Sequence, residues 1–171
     1  MINGIVCVSK NWGIGKVNKV TGKGQLLFNI PEDMKFFREK TKFSIVVFGE
    51  TTYLSLNVRP LKNRVNIVLC PEYSEYPDAI CIHDFDQLVE FVKILAKEYE
   101  VYICGGGMLY KSFLPYYDRV YVTKVDAVDD KATVFFPNLD EDPNFEPYPE
   151  TRVAESNGYN IEFITYNRVG D

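Results

Sequence analysis

After its opening serine the run Ser44-Ile-Val-Val-Phe48 carries no polar side chain, and Gly49 closes it. Apolar on both alternating sides, it reads as a strand covered on both faces, which is how parallel sheets with helical crossovers are built. Further strand-like runs stand at Ile2 to Val8, Val65 to Leu69, Ala79 to Ile82, Val101 to Cys104 and Arg119 to Val125, with Thr123 a polar position in the last and helical segments between them. Near the C-terminus, segments around Thr151 to Glu155 and Asn160 to Asn167 flank Asn157-Gly158, a strong hairpin signal. The pattern predicts an α/β fold in a single domain, 1–171. Its core is a mostly parallel twisted sheet of about eight strands, with helices on both faces and an antiparallel C-terminal edge.

Composition narrows the function classes. Apolar residues make up 46% and aromatic ones 15%, so the chain can bury a full core. A net charge of -5 gives no attraction to nucleic acid or acidic membranes, and the expected partner is a small molecule bound by a monomer. The first apolar run is too short for a signal segment or a membrane span, so a cytoplasmic protein is expected. Cys7, Cys70, Cys81 and Cys104 form no CxxC pair and read as reduced thiols. His83 is the one histidine, which excludes a histidine metal cluster, and no metal is expected. Acid–base chemistry must then fall to carboxylates, tyrosines or water.

One carboxylate stands out. In Gly24 to Thr41, Asn29 and Glu32 have capping-box spacing and Pro31 suits a first helical turn, so a helix should begin near Asn29 or Ile30. Ile30, Asp33, Met34 and Phe37 then share one face, with Lys35, Arg38 and Glu39 toward water. Asp in a first turn also suits the helix dipole. On an apolar face, however, an acid needs pairing, hydrogen bonds or protonation, which marks Asp33 as a candidate site residue.

Two glycine turns offer close backbone approach. Gly49-Glu50-Thr51-Thr52 follows a strand and opens a helical turn through Leu56; Gly105-Gly106-Gly107 leads into a helix from Met108 to Leu114, stopped by Pro115. Both have the strand, glycine, helix order that suits phosphate, but neither is the spaced dinucleotide fingerprint. Asp84 and Gln87 cap a structural helix with Leu88, Val92, Leu95, Ala96 and Tyr99 as its buried stripe. Asn11 to Gly15 reads as a turn. The stretch after it, with Lys16, Lys19, Gly22, Lys23 and Gly24, reads as a long lid-like loop.

Taken together, Trp12-Gly-Ile-Gly15, Ile30-Pro-Glu-Asp-Met34 with Phe37 and Thr41, Phe48-Gly49 with Thr52, Arg59-Pro-Leu61 with Arg64 and Asn66, Gly105-Gly-Gly107 with Tyr110, Tyr121-Val-Thr123 and Phe136-Pro137 resemble dihydrofolate reductase. The resemblance covers nearly the whole chain. It implies hydride transfer from NADPH to C6 of dihydrofolate, with protonation at N5. It also implies that Asp33 holds the pterin ring with Thr123 behind it, these two being the catalytic pair, and that Arg64 pairs with the substrate's α-carboxylate. Ile5, Val6, Met34, Phe37, Leu56, Leu61, Cys104 and Tyr110 complete the implied substrate site. Cys7, Ile14, Gly15, Cys104 and Tyr110 are implied around the nicotinamide. Gly49, Glu50, Thr51, Thr52, Leu69, Cys70, His83 and the run Gly105, Gly106, Gly107, Met108 and Leu109 are implied along the rest of the cofactor.

The chain departs from the family pattern at four places. Phe28 replaces a common Trp, the loop from Gly15 to Gly24 is longer, and Thr133-Val134 replaces an acidic-then-Thr pair that supports the lid. Glu50 replaces an arginine at the adenosine 2'-phosphate, with neither Pro71 nor His83 supplying a charge, which brings NADH in as a second cofactor. The competing readings are a same-fold reductase of a ribosylaminopyrimidine, and a non-catalytic folate- or nucleotide-binding module.

Overall fold

The computed structural model describes residues 1–17, 20 and 24–170, and for 149–152 the backbone alone. Of the expected loop, Lys19, Gly22 and Lys23 lie outside the described residues. The elements in chain order are β1 (Ile2–Val8), β2 (Gly13–Val17), β3 (Gly24–Leu26), α1 (Pro31–Thr41), β4 (Ile45–Gly49), α2 (Glu50–Ser55), β5 (Val65–Leu69), β6 (Ile80–Ile82), α3 (Phe85–Leu95), β7 (Val101–Ile103), α4 (Gly107–Ser112), β8 (Arg119–Val125), β9 (Val134–Phe135), β10 (Phe145–Ser156) and β11 (Tyr159–Arg168).

An eight-stranded sheet runs β10-β11-β8-β1-β7-β4-β5-β6. Its pairs β1/β7, β7/β4, β4/β5 and β5/β6 are parallel, whereas β8/β11 and β11/β10 are antiparallel. This is the mostly parallel sheet with an antiparallel C-terminal edge that the apolar runs and the Asn-Gly turn predict. The chain forms two compact units, 1–4 with 38–118 and 5–37 with 119–171.

In the first unit, Val46, Val47 and Phe48 of β4 are at most 1% exposed. Each such side chain contributes roughly 1.5–3 kcal/mol of burial. Asp84 caps α3 by accepting the Gln87 N–H at 3.0 Å. The buried stripe of α3 is Leu88, Val89 and Val92, not the longer one expected. Tyr99 is exposed because the helix ends at Leu95 and the spacing stops applying there. Likewise α4 ends at Ser112 rather than Leu114, and Leu114–Tyr116 tightens into a 3-10 turn around Pro115.

In the second unit, Asn157 and Gly158 take φ of 52° and 82°, the left-handed pair that a tight hairpin between β10 and β11 requires. Trp12 is buried beside Phe136 and Tyr166 at ring-centroid distances of 6.3 and 5.6 Å, with Lys124 Nζ 4.9 Å from its ring. The expected Asn11 to Gly15 turn and following loop are in part sheet. β2 pairs with β3 and with β9, a backbone ladder that needs no apolar periodicity to form. Lys16 Nζ sits 2.7 Å from Asp129 Oδ2, and the Thr133 N–H donates to the Gly15 carbonyl at 2.9 Å. β2 is thus fastened to the 129–134 segment without the acidic-then-Thr pair.

The entry to α1 is also held from elsewhere in the chain. The helix begins at Pro31, the Met34 N–H bonds the Ile30 carbonyl, and the Glu32 N–H donates to Ser156 Oγ at 3.3 Å. The Asn29 carbonyl accepts from Asn157 Nδ2 at 2.8 Å, so residues of the β10/β11 hairpin anchor the helix start. Phe36, not Met34, fills the buried stripe. Its ring lies 4.8 Å from Phe163 and 6.3 Å from Tyr121, while Met34 is 53% exposed.

Candidate active site

Asp33 occupies the first turn of α1, one turn before Phe36. Because Phe36 rests on Tyr121 of β8, the preceding turn falls over Thr123, which shares a sheet face with Tyr121. The carboxyl of Asp33 is hydrogen-bonded by the Thr123 hydroxyl and by the Cys7 thiol of β1. Desolvation raises its pKa above the ordinary carboxylate value, and the two hydrogen bonds oppose that rise. The Cys7 thiol is pushed well up by burial, and further by the neighbouring acid, so at neutral pH it remains S–H and donates. Thr123 is 1% exposed, whereas Asp33 and Cys7 are each half-buried and so within reach of a ligand.

In the same unit, Ile5 and Val6 are buried on β1, Phe37 is half-buried on α1, and Ile14 and Gly15 lie on β2. Met34 projects outward from α1. Cys7, expected beside the nicotinamide, also neighbours Asp33.

The first unit holds the other expected residues. Arg64 follows a loop folded by Asn66, a buried amide whose Oδ1 accepts the Leu61 N–H and whose Nδ2 donates to the Leu61 and Arg64 carbonyls at 2.9, 2.9 and 3.1 Å. The guanidinium is aimed by Nε to the Lys62 carbonyl at 2.8 Å and by Nη1 to Thr41 Oγ1 at 3.1 Å. Burial, and secondarily the charge of Arg38, lower its pKa from the usual arginine value. Among the described residues no carboxylate pairs with it, which leaves a half-buried cation able to take an acid from outside the chain. Leu56 and Leu61 lie half-buried in the same unit.

The two glycine turns meet. The Gly49 N–H donates to the Gly105 carbonyl at 2.8 Å, and the Gly105–Gly106 peptide is cis. Gly105 takes φ of +121°, and a Cβ on Gly106 would stand 3.0 Å from Thr52 Oγ1. Side chains are thereby kept off a stretch of bare backbone, the form a phosphate or other large ligand needs for close approach. Thr51 and Met108 are exposed. Leu109, implied along the cofactor, is 1% exposed, since it faces the core from α4. Tyr110 is 8% exposed, and its carbonyl accepts from Tyr117 Oη at 2.8 Å.

Glu50, the first residue of α2, accepts from Ser74 and, at 2.7 Å, from Tyr76 Oη. These bonds hold its carboxyl below the usual range, and the same contact pushes Tyr76 up to about 12. Leu69 ends β5; Cys70 after it is buried, its carbonyl 2.9 Å from His83 Nδ1. Sequence spacing carried no signal for Ser74, Tyr76, Ser156 or the Cys7–Asp33 contact, since all arise between segments brought together by the fold.

Comparison with known proteins points one way. The family model described as dihydrofolate reductase matches residues 1–168. The chain is similar to dihydrofolate reductase of Haemophilus influenzae, 34% identical over 154 residues covering 89% of this chain and 93% of that one. It is also similar to that of Bacillus subtilis, 30% identical over 172 residues covering 98% and 95%. Among solved structures it resembles dihydrofolate reductase from Enterococcus faecalis complexed with NADP(H) and RAB-propyl. There the TM-score is 0.80 at 28% identity, covering 99% and 97% of the two chains.

Proposed function

Since the chain belongs to the dihydrofolate reductase family, we propose that it reduces dihydrofolate to tetrahydrofolate with NADPH as the reductant. The observation that carries this reading is the Asp33 carboxyl, lifted by burial and held by Thr123 and Cys7, in a chain matched by the family from 1 to 168. When bound, NADPH supplies the hydride taken up at C6. The chain's own residues provide the rest. Asp33, ionised, accepts hydrogen bonds from the 2-amino and N3 positions of the ring. Its negative charge stabilises positive charge on that ring and so raises the basicity of N5, which takes its proton from water. Thr123 fixes the carboxylate. Arg64, aimed by Thr41 and the Asn66-folded loop, takes the α-carboxylate of the substrate's glutamate.

The residues present fit a dinucleotide phosphate, because Gly105, with φ of +121°, and Gly106, where a Cβ would stand 3.0 Å from Thr52 Oγ1, keep the backbone bare beside Gly49. We assign them, with Thr51 and Thr52, to hold it. Glu50 fits a free ribose hydroxyl better than a 2'-phosphate, which is why NADH is expected to bind as well. We read residues 1–171 as one reductase domain, acting as a cytoplasmic monomer without nucleic-acid or membrane partners. The net charge of -5 supports this, and no helix among the described residues is long and apolar enough to cross a membrane.

The test is turnover. With dihydrofolate and NADPH, loss of NADPH absorbance should match tetrahydrofolate formed, and a ribosylaminopyrimidine should give none. Calorimetric folate binding without reduction by either nicotinamide would instead make the chain a binding module.

A further inference from the structure

Glu50 and Tyr53 stand three residues apart on α2 and so share a side of that helix. Tyr76, in the connection between β5 and β6, meets both. Its Oη lies 2.7 Å from Glu50 Oε2, and its ring packs edge-on against buried Tyr53 at a centroid distance of 5.3 Å. We propose that Tyr76 is a positioning residue. Its hydroxyl holds the Glu50 carboxylate, still charged, beside the bare backbone of Gly49, where that acid selects a dinucleotide with a free ribose 2'-hydroxyl over one phosphorylated there. This rests on the reading of Gly49 and Glu50 as cofactor residues.

Tyr76 is itself fixed. Its N–H donates to Cys81 Sγ of β6 at 3.4 Å, and its carbonyl accepts from the Ala79 N–H at 3.2 Å. Tyr53 in turn rests on Phe48 of β4, with centroids 6.0 Å apart, and Phe48 is 1% exposed. The donor is thus tied to the core, whereas an unheld glutamate on a surface turn samples many rotamers. Glu50 and Tyr76 are both half-buried, which leaves the pair within reach of a ligand. A carboxylate has about four lone-pair positions on its two oxygens. Tyr76 takes one on Oε2, and Oε1 remains to accept from a hydroxyl. The chemistry of the partner matters as much as its distance. A lysine or arginine would orient the acid and cancel its charge together; a phenol orients it and leaves the charge in place. Among the described residues no cation lies within ion-pair distance of Glu50. A carboxylate so held repels a phosphate without swinging clear of it, although doubling the separation would halve the repulsion.

The experiment measures the dissociation constants of NADPH and NADH by calorimetry on the whole chain, so its outcome does not depend on turnover. Wild type is compared with Tyr76→Phe, Glu50→Gln and the double variant. Phenylalanine keeps the ring on Tyr53 and removes the hydroxyl alone, so the fold is retained. In Tyr76→Phe the released carboxylate retreats, and NADPH should bind about fivefold tighter. NADH, losing a fixed acceptor, should bind about twofold weaker, a change of about tenfold in the ratio of the two constants. In the Glu50→Gln background, removal of the same hydroxyl should leave the ratio within about twofold. A packing role alone would move both nucleotides together. An unmoved ratio in Tyr76→Phe, or a shift that persists in Glu50→Gln, overturns the proposal while the cofactor reading stands. Wild type that binds neither nucleotide overturns both.

Discussion

The hydroxyl of Thr123, 1% exposed on β8, donates to the Asp33 carboxyl on α1, and yet the pKa of that acid stands above its ordinary value. Burial therefore outweighs both hydrogen bonds that the acid receives. A carboxylate in that position costs folding free energy whenever it is ionised, and the cost is spent at the place where a ligand with N–H donors would relieve it.

Asp33→Asn should accordingly lose activity and gain stability. The folded pKa is raised, so the acid's favourable contribution is fully present below the unfolded value, near 3.8, and is lost as pH rises through the folded pKa. At pH 7 the Asn protein should melt higher than wild type, by about 2–4 °C for each kcal/mol relieved. The gap should close in acid. Turnover at neutral pH should drop strongly and recover in part at low pH. Melting curves and turnover against pH check both halves, and wild-type rates at pH 7 would refute the assignment.

Arg64→Leu should raise KM for dihydrofolate far more than it lowers kcat. A desolvated charge pair that loses one partner costs about 2–5 kcal/mol, and the half-exposed setting of Arg64 places the effect at the low end. A pterin substrate without the glutamate should be indifferent. Asn66→Leu should act in the same direction by releasing the loop, with an added stability loss of about 1–3 kcal/mol from the Leu61 and Arg64 backbone groups left unpaired. Steady-state kinetics on both substrates, beside denaturant melts, separate the two variants.

Glu50→Gln should tighten NADPH and leave NADH nearly unchanged. A carboxylate at about 4 Å in water repels each unit charge of a phosphate by roughly 1 kcal/mol, and a phosphate carries nearly two. The expected gain in affinity is about 5- to 30-fold at low salt, shrinking as salt rises. Fluorescence titration of both cofactors at two ionic strengths measures it. Equal response of NADPH and NADH would place Glu50 away from the 2'-position.

Gly49→Ala should keep its stability and lose cofactor. Gly49 has φ of -70° and ψ of 158°, open to any residue, and the new Cβ would stand 3.7 and 3.8 Å from Gly106 N and Gly105 O, ordinary contact distances. Stability should change by no more than about 0.5 kcal/mol. The methyl would nonetheless stand over the bare backbone assigned to phosphate, weakening NADPH binding by about tenfold or more, or 1.4 kcal/mol. An unaltered dissociation constant in a well-folded Ala protein removes Gly49 from the site.

Much of this was legible in the chain alone, and for local reasons. The all-apolar run Ile45 to Phe48 can only be a strand covered twice, and Asn157-Gly158 supplies the two left-handed residues of a hairpin turn. The 3.6-residue period put Asp33 on the inner side of α1, and the glycine runs at 49 and 105–107 announced backbone approach. Each of these depends on neighbours within a turn or a strand. The period could not separate Met34 from Phe36 at the stripe's edge, because that choice was made by Phe163 and Tyr121 on β11 and β8. Nor could it show Ser156 at the start of α1, Tyr76 on Glu50, or Cys7 beside Asp33. Those contacts join residues distant in the chain, and the packing of strands, helices and connections decides which of them become neighbours. The identity of the acid was therefore written in the sequence, whereas its ionisation, set by burial and by two donors from different strands, was decided only once the sheet had formed.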